Sequence, residues 1–401
     1  MDLTSAQPFW RLQNGLINTY PPIVQDVRCD VAVIGAGITG AMVAYRLSKM
    51  GKRVVVLDRR DACFGSTSAT TGLLLYEIDV PLVELAKLIG QRDAELAYQL
   101  SYESIDRIRS LVAEVDADCD FENKTSIYLA DSPAAASMLQ AEAAARQSIG
   151  LQVEYLSAGE VRERYGLEGS AALATTQAGS CDAYQFAHAL LQRAICNGAA
   201  VYDRTEAESF EPGDRHVTMR TNRGFRVVAD SVVVAAGYES QSMLAEDIVE
   251  LNTTYALVSQ PLASVAPWNR DWMMWETKDP YLYLRCTADN RLLVGGEDDD
   301  FHDPVQRDLN LDVRVREIER KVRALIPDLD WEVEHAWAGT FGKTHDGLAY
   351  IGRSPEHPQM LFACGFGGNG ITFSSIASDL IANTLCGGPP DPREHLFRFG
   401  R

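Results

Sequence analysis

The sequence predicts an α/β fold, with a parallel-sheet domain and a mixed or antiparallel-sheet domain inserted into it in pieces. Three observations predict it. Residues 30–58, DVAVIGAGITGAMVAYRLSKMGKRVVVLD, read as strand, glycine turn, helix and strand. Residues 361–387, LFACGFGGNGITFSSIASDLIANTLCG, read as another strand, glycine turn and helix near the far end of the chain. Between them, residues 251–300 are strand-rich: LNTTYALVSQPL, WMMWETK and YLYLRCTADNRLLVGGEDDD.

The first unit carries a whole βαβ dinucleotide signature. A buried strand from Val31 to Ile34 enters Gly35-Ala36-Gly37-Ile38-Thr39-Gly40. Gly35 makes the tight turn, Gly37 lets backbone approach a pyrophosphate, and Gly40 lets the helix pack close to the strand. The helix N-terminus offers free N–H groups and a positive dipole end to phosphates. A second strand, Val54 to Leu57, ends in Asp58, whose carboxylate suits ribose hydroxyls. A Rossmann-type domain with a bound dinucleotide is the expectation.

The remaining elements follow in order. Phe9 and Trp10 are expected to tuck an N-terminal arm onto the body. Residues 58–79, DRRDACFGSTSATTGLLLYEID, form a small, polar loop; Gly65, Ser66, Thr67, Ser68 and Thr70 to Gly72 offer hydroxyl and N–H donors to a cofactor beneath it. Residues 81–115 read as one long amphipathic helix, 126–130 as a strand and 132–150 as a helix closed by Gly150. LSAGEVRERYG is a short helix capped by Ser157, with Glu160 at the capping-box position. Residues 183–203 are a helix, a turn at Asn197-Gly198 and a strand. Residues 217–237 are a hairpin through Asn222-Arg223-Gly224 and then a core strand, Ser231 to Ala235. That strand ends in Ala235-Ala236-Gly237, small residues that let backbone pass close to a neighbour. Residues 311–326 are an amphipathic helix, and 332–353 alternate strand and turn.

Composition narrows the function. A net charge of −19 disfavours nucleic acid and anionic membrane surfaces as partners. No 18-residue apolar run marks a membrane span, and the N-terminus lacks a basic region followed by an apolar one, so no signal peptide is expected. The eight cysteines are scattered without a CxxC pair, as reduced core thiols of a cytoplasmic protein would be. The seven histidines show no paired spacing, so no metal site is expected, and no GxSxG elbow is present.

Two constellations lie beyond the first turn. Gly365-Phe366-Gly367-Gly368-Asn369-Gly370 permits close approach of a flat ligand, with the N-terminus of the last helix beside it. In YLYLR, Tyr281, Tyr283 and Arg285 share one strand face. Two phenols and a guanidinium there suit a carboxylate; an exposed arginine on a sheet edge is the plain alternative.

At this point the chain resembles the D-amino-acid oxidase, glycine oxidase and sarcosine oxidase superfamily of FAD enzymes. The fingerprint with Asp58, GSTSATTG, ADSVVVAAG, the YLYLR…NRLLVGG hairpin, GTFGKTHDGLAYIG and CGFGGNGITFS occur in the family's order, from about residue 29 to 387. The resemblance implies that Gly35, Gly37, Ile38, Thr39, Gly40, Asp58 and Arg59 hold the ADP half of FAD. It places Ser66, Thr67, Thr70, Thr71, Gly72, Ala236 and Gly237 along the cofactor, and Gly367, Gly368, Asn369, Gly370 and Ile371 near the pyrimidine edge of the ring. It makes Arg285 the substrate's carboxylate clamp, with Tyr281 and Tyr283 as further contacts. Two departures stand out. No cysteine lies in Gly339 to Lys343, where covalent sarcosine oxidases carry their flavin link, so the FAD is expected to be non-covalent. No lysine lies in Arg291 to Val294, matching the family's oxygen-activating lysine, so either O2 or another acceptor takes the electrons.

The expected FAD domain is 1–78, 183–245 and 338–401; the substrate domain is 79–182 and 246–337. The expected activity is oxidation of the C–N bond of an amino acid or secondary amine, by hydride transfer to flavin N5, giving an imine that hydrolyses. An FAD-dependent 2-hydroxy-acid dehydrogenase and a non-catalytic flavoprotein serving as an assembly partner are the alternatives. Homo-oligomerisation is left open.

Overall fold

Two sheets carry the chain, in a computed structural model that describes residues 2–5, 7–263, 270–354 and 356–401. Val27–Ile34 lies at the centre of the first. It pairs in parallel with Val54–Leu57 on one side and Arg226–Val234 on the other. His357–Cys364 and Ala200–Tyr202 extend the parallel set at either end, and Tyr350–Ser354 closes one edge antiparallel. The hairpin through Asn222-Arg223-Gly224 forms between Val217–Thr221 and Arg226–Val234, and Ala207–Pro212 adds a strand beside it. Strands buried on both faces have no reason to alternate, and all four residues of Val54–Leu57 are buried. Ile38–Lys49 packs against both Ala183–Cys196 and Gly370–Leu385, and Gln91–Val115 packs against the latter.

The second sheet runs Val333–Lys343, Glu250–Pro261, Arg291–Asp299, Leu282–Cys286, Trp272–Glu276, Glu122–Ala130, Ala171–Ser180, Leu73–Leu74. Glu154–Ser157 pairs alongside Ala171–Ser180. All neighbours are antiparallel except Trp272–Glu276 with Glu122–Ala130, so the sheet is mixed. Leu282 and Leu284 turn into its core with Ile318 and Val322 of the helix Pro304–Leu325.

Three expectations need correction. Leu73–Leu74 and all of Val333–Lys343 belong to the second sheet, so the expected cuts after 78 and before 338 miss its edges. Pairing with Glu250–Pro261 along the whole strand, from Lys343 to Val333, decides that membership, and no local pattern reports it. The expected helix over 81–115 breaks into Leu82–Ile89 and Gln91–Val115 because Gly90 takes φ +90°. The helix expected over 311–326 starts at Pro304, where the Asp303 side chain accepts from Gln306 N–H and Pro304 takes the first position. Its first turns expose Val305 and Leu309, which hides the amphipathic period there.

The arm does tuck in: Phe9 and Trp10 are buried, and Phe9 lies 6.4 Å from the Trp337 ring. The capping box of Ser157 and Glu160 is present. All eight cysteines are free, and six are buried. Among the described residues, no helix is long and apolar enough to cross a membrane, and no cluster of His, Cys, Asp or Glu could hold a metal ion.

Gly40 sits in the first turn of Ile38–Lys49, where an added Cβ would overlap the Gly35 carbonyl oxygen. That neighbour is backbone and cannot rotate aside. Gly40→Ala is therefore expected to destabilise the FAD-free protein by about 2–3 kcal/mol. A urea titration checks this through a lower midpoint at unchanged slope. An unchanged midpoint would contradict the close packing.

Candidate active site

One cavity of about 1230 Å³ runs from the glycine turn of the first sheet to the inner face of the second. It lies beyond the carboxyl ends of the parallel strands, where α/β sheets bind ligands. At its nucleotide end the strands are fixed to one another by backbone bonds. Gly35 N–H donates to Leu57 O at 2.8 Å, and Ala235 N–H donates to Ile34 O at 2.8 Å. Gly35 takes φ +107°, and a Cβ there would strike the Ala235 carbonyl. At Gly37 an added Cβ would meet only the Thr67 hydroxyl, at 2.9 Å. That hydroxyl accepts from Ile38 N–H at 2.9 Å, tying the first helix to the 65–72 loop.

Asp58 closes this end. Its carboxylate accepts from Ala36 N–H at 2.7 Å and Arg60 N–H at 2.9 Å, so it braces the glycine turn as well as facing the cavity. Burial pushes it up to about 6, against those two bonds. Arg59 also lines the cavity but is held at the rim by Glu239, which Arg60 shares.

The 69–72 loop is stapled from behind. Trp337 Nε1 donates to Ala69 O at 2.9 Å, Trp10 Nε1 to Thr70 O at 2.6 Å and Arg285 Nε to Thr71 O at 2.8 Å. Cys181 N–H donates to Gly72 O at 3.1 Å. Gly72 takes φ +70°, where a Cβ would strike the Cys181 carbonyl. With its carbonyls tied back, Thr70 and Thr71 face the cavity.

The opposite wall is the turn before Gly370–Leu385. Gly368 N–H donates to Asp79 Oδ2 at 2.9 Å, Asn369 Nδ2 to Glu77 O at 2.7 Å and Thr372 Oγ1 to Leu75 O at 2.8 Å. These bonds bring Glu77 and Asp79 into the chamber beside the second glycine turn. Tyr281 and Tyr283 enter from the second sheet, their rings 5.7 Å apart. Burial pushes the Tyr283 hydroxyl up to about 12, with Thr254 and Thr71 opposing the rise.

Most of the residues singled out from sequence meet at this cavity. Gly35, Gly37, Ile38, Thr39, Asp58, Arg59, Ser66, Thr67, Thr70, Thr71, Ala236, Gly237 and Gly367 to Ile371 all line it, with Tyr281 and Tyr283. Gly40 and Gly72 stand behind the wall and shape it. Arg285 is the correction. It shares the tyrosines' strand face but is buried, 2% exposed, and does not line the cavity. Its guanidinium donates to three carbonyls, Thr71, Cys286 and Cys181, and lies 5.5 Å over the Trp10 ring. Two residues along the strand, the loop and the N-terminal arm have covered the face, so each of its three nitrogens is turned to a backbone carbonyl rather than to the cavity.

Sequence reasoning missed Lys343, Glu77, Asp79, Tyr238 and Trp275, all of which line the chamber. Lys343 ends the strand Val333–Lys343, and its ammonium lies 5.9 Å over the Phe341 ring. Burial raises the Asp79 carboxyl; the Gly368 N–H and Lys343 oppose the rise. Burial also pushes Asp298 up to about 6, and Asp79 adds to this while Thr254 and Lys343 oppose it. The alternation Glu77-Ile78-Asp79 was the available signal for the two acids.

The residues present fit a dinucleotide: a glycine cradle, a helix N-terminus, an acid at the second strand's end, and a continuous cavity to a second glycine turn. The sequence profile of the FAD dependent oxidoreductase (DAO) family matches residues 30–384. The chain belongs to that family, and it is an FAD-dependent oxidoreductase. It is 27% identical to the glycine oxidase of Geobacillus kaustophilus, over 89% of this chain and 93% of the relative. It is also 27% identical to the gamma-glutamylputrescine oxidoreductase of Escherichia coli, over 92% of this chain and 87% of that protein. The crystal structure of the Geobacillus kaustophilus glycine oxidase superposes with a TM-score of 0.78 at 23% identity, covering 94% of this chain and 99% of that one.

Two substitutions separate cradle from scaffold. Gly37→Val is expected to cost the FAD-free protein about 0.5–2 kcal/mol, since the Thr67 hydroxyl must give up its bond to Ile38 N–H, and to abolish FAD retention on purification. Full flavin occupancy would contradict the cradle. Arg285→Ala leaves three buried carbonyls short of a donor, so a loss of at least about 3 kcal/mol in stability is expected. Surviving enzyme should lose flavin-reduction rate equally on an amino acid and on its decarboxylated amine. A loss confined to the amino acid would return Arg285 to the substrate.

Proposed function

We propose that this enzyme oxidises the C–N bond of an amine or amino acid, with non-covalently bound FAD as the immediate electron acceptor. The observation that carries the reading is the continuity of the cavity. It joins the nucleotide cradle to a chamber walled by Tyr238, Tyr281, Tyr283, Asp79 and Lys343, which suits a small polar substrate set against the ring end of the cofactor. The sequence relatives act, by their names, on an amino acid and on an amine derivative. FAD, when bound, supplies the two-electron acceptor for the hydride on the carbon next to nitrogen.

The chain's own residues have three tasks. The tyrosine walls and the tied-back 69–72 loop exclude water and orient the substrate. Asp79 Oδ2 is engaged by Gly368 N–H, which leaves Oδ1 to take a proton from the substrate ammonium, so that the nitrogen lone pair becomes available. Tyr283, Thr71 and Thr254 together line the chamber with hydroxyl groups. No cysteine or histidine lines the cavity among the described residues, which supports a non-covalent cofactor. Arg285, the clamp that would have served a 2-hydroxy acid as well as an amino acid, donates to backbone carbonyls instead.

An anaerobic screen of the yellow protein against amino acids, N-methyl amines, diamines and 2-hydroxy acids tests this directly. Bleaching of the flavin by an amino compound, with ammonia or alkylamine released on turnover, is expected. Bleaching by hydroxy acids alone would overturn it. Acid precipitation should release all colour from the protein pellet.

A further inference from the structure

We propose that Gly295 is a positioning residue for substrate choice: its bare backbone seats the Tyr283 ring, and that seat sets how bulky a substrate arm the chamber admits. The proposal rests on the C–N oxidation reading above and concerns the width of that same chamber.

The seat comes from strand register. Residues paired across neighbouring strands share one face of a sheet. One such row crosses the chamber side of the second sheet: Trp337, Ala256, Gly295, Tyr283, Trp275 and Tyr128, each paired with the next. Every member of the row except Gly295 lines the cavity. Gly295 is the gap in the row, and Tyr283 fills it. A Cβ built on Gly295 would lie 2.3 Å from both Cζ and Oη of Tyr283 and 2.5 Å from its Cε2. These are its three nearest neighbours, and all belong to one phenol. The ring therefore lies across the bare backbone of the next strand, a close approach that only glycine permits there.

Backbone conformation does not ask for this glycine. Gly296 takes φ +138°, and a Cβ there would strike the Tyr281 carbonyl oxygen; Gly295 has no positive φ, and only the phenol stands in the way. Two residues back on the same strand, Leu293 stands opposite Arg285 with a full side chain, where the 69–72 loop and the N-terminal arm close over the sheet. The bare position comes where the chamber opens. A side chain at 295 would leave the Tyr283 ring one direction to move. Trp275 fills the next place in the row and stacks at 3.5 Å on Tyr128, the Tyr281 ring stands 5.7 Å away, and the sheet lies beneath. The ring must rise into the chamber, by about 1 Å or more to regain ordinary contact distance. The space it takes is space for a substrate arm.

The test uses FAD-loaded enzyme and two ligands without a hydrogen on the carbon next to nitrogen, tert-butylamine and tert-octylamine, which bind without reacting. Titrations followed by flavin absorbance give a Kd for each, beside anaerobic flavin reduction by N-methylethylamine and N-methylhexylamine. In Gly295→Ala the bulky-to-small Kd ratio should rise about tenfold or more, since a methylene-sized change in an apolar pocket carries that much. Reduction by the longer amine should weaken in step, chiefly through apparent Kd. Tyr283→Ala should lower the ratio. Gly295→Ala/Tyr283→Ala should match Tyr283→Ala alone, because the added methyl then meets no ring. A ratio unmoved by Gly295→Ala, or a double variant that keeps the rise, would overturn the proposal while leaving C–N oxidation intact. If Gly295→Ala yields no FAD-loaded protein, removal of the ring decides: recovery in the double variant supports the seat, and continued failure overturns it. Wild type that neither binds nor is reduced by any of these amines would take down the C–N reading and the proposal together.

Discussion

Everything at this site hangs on the approach of backbone to backbone at Gly35. Three parallel strands converge there, and the contacts that fix them, Gly35 N–H to Leu57 O and Ala235 N–H to Ile34 O, involve no side chain. The helix Ile38–Lys49 can start where it does only because Gly40 has no Cβ to meet the Gly35 carbonyl. That geometry leaves helix N–H groups and the Asp58 carboxylate facing one space. The rest of the chain builds walls around it: a loop stapled by Trp10, Trp337 and Arg285 on one side, and a glycine turn bonded to Asp79 and Glu77 on the other.

Arg285 shows what strand periodicity can and cannot carry. Alternation places Tyr281, Tyr283 and Arg285 on one face, and the structure agrees with that. It says nothing about what covers the face. The two tyrosines meet the cavity; two residues further, the N-terminal arm and the 69–72 loop have closed over the sheet. A guanidinium with five donors is well suited to saturate such a loop from behind. The same property that made Arg285 attractive as a carboxylate clamp makes it effective as a brace.

The nucleotide half was legible because its signals are local. The glycine spacing, the acid at the end of the second strand and the apolar runs of doubly buried strands all lie within short windows. The chamber was less legible because its residues come from segments far apart. Lys343 belongs to a strand whose sheet is decided by pairing with Glu250–Pro261. Glu77 and Asp79 follow a two-residue strand and reach the site through bonds to Gly368 and Asn369, close to the opposite end of the chain. Their alternation was visible in the sequence, but the partner wall was not.

The central claim is that one cavity holds the cofactor's nucleotide end at Gly35–Asp58 and its ring end beside Asp79, Tyr281 and Tyr283. A crystal structure of the FAD-loaded protein with a slowly oxidised amine tests it most directly. The account predicts the pyrophosphate on the Gly35–Gly40 turn, the ring between the 70–72 loop and Gly367–Ile371, and the amine on the Asp79 side with Arg285 still bonded to Thr71 O. A ring placed outside the chamber, or a ligand bonded to Arg285, would contradict it.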